Sequence, residues 1–151
     1  MTTEALFADL VGLQIELWNA LDARLRAELG LPLSDCEGLR VIAMRETSRV
    51  NDLAETLVIT VGGASKLADR LERAGLVARH ANPGDRRSSV LRLTEAGISA
   101  RERAAKLVDG ELASRVDARL EQDERRVLAE TLHKLRLRTA DADPTTTKGT
   151  P

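Results

Sequence analysis

The stretch Thr60-Val61-Gly62-Gly63-Ala64-Ser65-Lys66-Leu67-Ala68-Asp69-Arg70-Leu71-Glu72-Arg73-Ala74-Gly75 decides the fold. Ala64, Leu67, Ala68 and Leu71 recur at the spacing that places them on one side of an α-helix. Gly62, Ser65, Lys66, Asp69, Arg70 and Arg73 are left on the other side. Thr60 suits the N-cap, and Gly75 supplies the left-handed residue that stops such a helix.

Upstream, Val50, Leu53, Ala54 and Leu57 give a shorter helix starting around Ser48–Arg49, joined to the first by the apolar connection Val58-Ile59. Before it, Ser34-Asp35-Cys36-Glu37 reads as a capping box opening a helix with Leu39, Ile42 and Ala43 inward. A long amphipathic helix fills Thr3 to Leu29, with Leu6, Leu10, Leu13, Leu17, Leu21 and Leu25 in one stripe and Gly30 and Pro32 as its stop. Downstream, Leu76–Ala81 and Ser88–Leu93 alternate around Asn82-Pro83-Gly84-Asp85-Arg86-Arg87, the pattern of a β-hairpin with a charged tip. Thr94 caps a further helix from Glu95, and a last amphipathic helix over 122–138 carries Val127, Leu128, Leu132 and Leu135. The expected organisation is an N-terminal dimerisation helix (1–33), a winged helix-turn-helix (34–97), C-terminal dimerisation helices (98–139) and a disordered polar tail (140–151). The fold class is mainly α with a small β-hairpin wing.

The 151 residues carry 42% apolar and 31% charged side chains, enough for one domain with a core. Phe7 and Trp18 are the only aromatic residues, too few for a base-stacking platform. One cysteine, Cys36, and two histidines, His80 and His133, leave no disulfide framework and no zinc cluster. No apolar run is long enough for a membrane span or a secretion signal, so a soluble cytoplasmic protein is expected. The reading finds no nucleophile with a base, no paired carboxylates in an apolar setting and no phosphate loop, so neither enzyme chemistry nor a cofactor is expected.

The formal net charge of −1 conceals an asymmetry. Residues 1–59 hold five basic and ten acidic side chains, residues 60–92 seven basic and three acidic, and the remainder eleven of each. A local basic block on a near-neutral chain points to a polyanion. Helix, tight turn, basic-faced helix and charged hairpin is the order of a winged helix-turn-helix, whose second helix fits the DNA major groove. Thr60, Val61, Gly62, Gly63 and Ser65 would open that helix against base edges, and Lys66, Arg70 and Arg73 would reach phosphates. Each glycine costs ~1 kcal/mol against alanine in a helix interior. Close approach to a groove or to another helix would offset that cost, and the groove is the favoured reading. Arg86 and Arg87 at the hairpin tip would meet the neighbouring minor groove.

These stretches resemble the MarR family of winged helix-turn-helix transcription regulators. The likeness is carried by Leu53-Ala54-Glu55, Ser65-Lys66-Leu67, Asp69 through Val77, the tip Asn82 through Arg87, and Leu93-Thr94-Glu95-Ala96-Gly97. It covers about residues 4–138. The resemblance implies a homodimer with interlocking terminal helices that binds double-stranded DNA at a palindromic operator, acting as a repressor. It also implies that Arg87 enters the minor groove, that Asp85 buttresses it, and that Arg86 contacts the backbone. Release by a small aromatic or phenolic effector is a further implication, with Trp18 as the candidate pocket residue. On its own pattern Trp18 reads first as a packing anchor.

Two alternatives stand beside this reading. The basic face alone would also serve a non-specific or architectural DNA binder. Cys36, in the first turn of its helix, would support a thiol-based redox sensor if the helix dipole lowered its pKa. A buried inert thiol is the favoured reading, since no second cysteine is present to resolve an oxidised one.

Overall fold

A computed structural model describes residues 1–82, 84 and 89–140, the side chains of 137–140 excepted. Its elements are α1 (Thr3–Leu29), α2 (Leu33–Ala43), α3 (Val50–Leu57), α4 (Val61–Arg73), β1 (Val77–Ala81), β2 (Ser89–Leu93), α5 (Glu95–Leu112), a π-helical turn (Ala113–Asp117) and α6 (Gln122–Ala140). The chain divides into two compact units, Met1–Glu111 and the part from Leu112 onward. Pro83, Asp85–Ser88 and the proposed tail from 141 lie outside the described residues.

The core of the first unit is built where the apolar stripes of α2, α3 and α4 meet the wing. Leu39, Val41, Ile42, Leu53, Ala54, Ala64, Leu67, Ala68 and Leu71 form one cluster with Leu76, Val77 and Leu91. Burying a leucine such as Leu71 stabilises by roughly 1.5–3 kcal/mol relative to leaving it in water. Gly38 lets α2 close on α4: an added β-carbon there would stand 3.0–3.3 Å from Leu71 and Leu67 side-chain atoms.

The three-residue connection between α3 and α4, Val58 to Thr60, closes with the Ile59 N–H donating to the Ala54 carbonyl at 3.0 Å. Val58 takes the left-handed conformation there, φ 54° and ψ 48°. After α4 the same type of closure recurs, with Gly75 at φ 71° and the Leu76 N–H donating to Leu71. The wing is an antiparallel pair with Val77 opposite Leu93 and Ala81 opposite Ser89.

One local expectation is corrected and a second is refined. Ser34 and Glu37 form no capping box: α2 starts at Leu33, with Pro32 in the N-cap position that Ser34 was expected to hold. The first orphan donor, the Leu33 N–H, is taken at 2.8 Å by Asp22 on α1, and Glu37 pairs with Arg40 at 2.7 Å. Of the expected start around Ser48–Arg49, Arg49 is the N-cap of α3 and Ser48 lies just outside it. Ser48 is buried and extended, and its carbonyl accepts the Leu91 N–H at 2.7 Å, tying the chain before α3 to the wing. The cap of α3 comes instead from the Asp52 carboxylate, which accepts the Arg49 N–H at 2.7 Å.

The junction of wing and α5 explains the Leu-Thr-x-x-Gly motif. The Thr94 hydroxyl donates to the Gly75 carbonyl at 2.7 Å and accepts the Gly97 N–H at 3.0 Å. A β-carbon at Gly97 would fall 1.9 Å from the Leu76 carbonyl oxygen, so only glycine fits.

Helix α1 packs on the rest of its unit through Leu21 and Leu25, whereas Leu6, Phe7, Val11, Leu13, Ile15 and Trp18 stay exposed. In the second unit, the π-helical turn is pinned by Arg125 on Asp117 at 2.6 Å, and the Glu124 carboxylate accepts the Glu121 N–H. Val127, Leu128, Leu132 and Leu135 are exposed along α6. Among the described residues no helix is long and apolar enough to cross a membrane, and no His, Cys, Asp and Glu cluster could hold a metal ion.

Candidate nucleic-acid interface

Thr60 caps α4 by accepting the Gly63 N–H on its hydroxyl at 3.0 Å. The helix then buries Ala64, Leu67, Ala68 and Leu71 and leaves Val61, Gly62, Lys66, Asp69 and Arg73 exposed, with Gly63 and Ser65 half-buried. Helical periodicity stacks Gly62, Lys66, Asp69 and Arg73 along the middle of the outward face. The two glycines separate here. A β-carbon on Gly62 would meet nothing within 4 Å, and one on Gly63 would meet only Thr60 Oγ1 and Ile59 Cδ1 of the adjoining turn. Neither glycine therefore serves the approach of another helix within this unit.

Arg70 is held by a partner on another helix. Its Nε donates to both carboxylate oxygens of Asp35, at 2.9 and 3.2 Å, and its Nη2 also engages Oδ1. Asp35 is almost wholly buried, and its partnership holds the Arg70 guanidinium above its ordinary pKa. Breaking such a pair would strand a buried carboxylate. Arg70 thus ties α4 to α2. Periodicity correctly puts it outside the apolar stripe but carries no sign of a partner 35 residues upstream.

Arg79, which the sequence reading passed over, projects from β1 onto α4. It pairs with Asp69 and, at 3.0 Å, with Glu72. It thereby offsets two carboxylates on the basic helix and fastens the wing to it. The alternation of β1 was the only available signal, and it does not show which face meets α4. Arg49, at the start of α3, is a further exposed cation of this unit. Asp85, Arg86 and Arg87 lie outside the described residues.

The two remaining singled-out residues fall away from this face. Trp18 is 42% exposed and borders only a shallow recess made by its own helix with Gln14, Ile15 and Asn19. Cys36 is buried, and desolvation, with Asp35, Glu37 and Asp22 nearby, pushes its thiol up to about 11. Any helix-dipole activation is outweighed, in keeping with the favoured reading of an inert thiol, and a thiol that stays protonated at neutral pH is a poor oxidant sensor. Cys36 instead lines a cleft of about 130 Å³ with Glu37 and Arg40 of α2 and Arg101, Ala104 and Val108 of α5.

Residues 29–88 match the family model described as MarR family. Over 68 residues the chain is 34% identical to the uncharacterised HTH-type transcriptional regulator YfiV of Bacillus subtilis (strain 168). That alignment spans 45% of this chain and 42% of the relative, less than half the relative's length. Among solved structures, the MarR family regulator Sco3205 from Streptomyces coelicolor, in complex with DNA, matches with a TM-score of 0.81 at 25% identity, covering 96% of this chain and 91% of the other. A cysteine-to-serine mutant of MarR from E. coli, complexed with operator DNA, matches with a TM-score of 0.76 at 25% identity over 85% of this chain and 91% of the other.

Proposed function

We propose, from the match of residues 29–88 to the MarR family model and from the fold the chain shares with MarR family regulators, that this protein is a sequence-specific, homodimeric DNA-binding transcription repressor. One observation carries the reading: the outward face of α4 presents an unobstructed Gly62 backbone in line with Lys66 and Arg73, about one and about three turns further along the helix. The carboxylates on that helix are paired with Arg79 and do not oppose the polyanion. Thr60, Val61, Gly63 and Ser65 open the readout helix, and Arg49 adds a phosphate contact. At the wing tip we assign Arg87 to the minor groove, Asp85 to its support and Arg86 to the backbone. Arg70 positions α4 and leaves phosphate binding to its neighbours.

Dimerisation is supported by the apolar side chains that α1 and α6 leave in water. A twofold dimer is matched by a palindromic operator, and a site overlapping a promoter would make its occupation repressive. The cleft beside Cys36 has the scale of a cavity that holds one benzene-sized ring, ~150 Å³. We place a small aromatic effector there, with Arg101 facing its polar group, in preference to Trp18.

The test compares affinity for the DNA upstream of the protein's own gene with affinity for random duplex of equal length at one salt concentration. A specific regulator prefers its site by ~10³ or more. Affinities within tenfold of each other would make it an architectural binder instead.

A further inference from the structure

The turn before α4 and the first residue of that helix expose three β-branched apolar side chains within four positions. Val58 is 84% exposed, Ile59 41% and Val61 57%. Nothing inside the fold calls for valine at position 58. Its side chain is not packed, and its left-handed backbone is one that glycine adopts freely and β-branched residues avoid. Between and beyond these residues the first turn of α4 offers Thr60, Gly62, Gly63, Ser65 and Lys66. It contains no Arg, Asn or Gln, which leaves Lys66 as its one side chain suited to a bidentate bond with a base.

We propose that Val58, Ile59 and Val61 form an apolar reading edge that recognises the 5-methyl groups of thymines in each half-site. The proposal rests on the DNA-binding reading above and names the chemistry of its specificity. The methyl is the apolar feature that distinguishes base edges in the major groove. Lys66, about a turn into the same helix, and Arg73, farther along its outward face, commit that face to a polyanion rather than to a second apolar surface. The Thr60 side chain is occupied in capping α4, which leaves the flanking valines as the groups free to face a base.

The experiment uses the full-length protein and the duplex it selects from a random pool. Each thymine of that duplex is replaced in turn by deoxyuridine, which removes the methyl group alone. At one or two positions per half-site affinity should fall about threefold to fivefold. At those positions the loss should shrink towards none in Val58→Ala or Val61→Ala, with the circular dichroism spectrum unchanged. A selected duplex that tolerates every replacement overturns the inference while leaving specific binding intact. So does sensitivity that persists undiminished in both variants. A change of oligomeric mass in Val58→Ala or Val61→Ala would assign the edge to protein association and also overturn it. A pool that yields no preferred duplex removes the specific-regulator reading and this inference with it.

Discussion

At Gly62 the missing β-carbon lowers helix stability without easing any contact inside the unit, since the space around it is open. The two requirements on the position can therefore be separated. Gly62→Ala should raise stability by about 0.5–1 kcal/mol, measured as a shift in the urea midpoint, because alanine loses less backbone entropy in a helix. The same variant should bind its operator at least ~10-fold more weakly, at the cost of about 1.4 kcal/mol, if the helix backbone lies against the base edges. A more stable protein with unchanged affinity would refute the close approach. The glycines were legible from the sequence as an anomaly, but the choice between helix packing and an outside partner needed coordinates. Arg70 was less legible still: its outward register is plain, yet the Asp35 carboxylate that claims it stands on another helix.

The elements were read well where a stripe or a stop signal governs them. The apolar face of α4, the Gly30 and Gly75 stops and the two wing strands all follow from local pattern. Caps supplied from a distance were not legible. The Ser34–Glu37 spacing matches a capping box, but Asp22, eleven residues earlier, already satisfies the Leu33 N–H and Pro32 sets the entry. Ser48 shares the expected start of α3 with Arg49, and nothing nearby in the sequence shows that its carbonyl serves the wing. The tie between wing and readout helix yields a prediction at this scale. Arg79→Ala should cost little stability, since exposed ion pairs contribute roughly 0–1 kcal/mol. DNA affinity should nevertheless fall several-fold, because Asp69 and Glu72 would then face the phosphates unpaired. Adding Asp69→Asn and Glu72→Gln to Arg79→Ala should restore most of the loss in the same binding titration. Failure of that rescue would mean that Arg79 acts by holding the wing and not through charge.

For the whole molecule, the apolar stripes that mark the terminal helices in the sequence stay largely in water at Leu6, Leu13, Val127, Leu128, Leu132 and Leu135. The sequence also announced the basic block, though the useful cations are fewer than the count suggests once Arg70 and Arg79 have found carboxylates. The central claim joins these two features: twofold pairing presents two copies of the α4 face to one duplex. Paired readout helices on a straight duplex stand about 34 Å apart, one helical turn. The decisive measurement is selection of duplexes by the full-length protein from a random pool, followed by sequencing. An inverted repeat with half-site centres about 10 base pairs apart is the predicted outcome; a single asymmetric element, or no enrichment at all, would contradict the account.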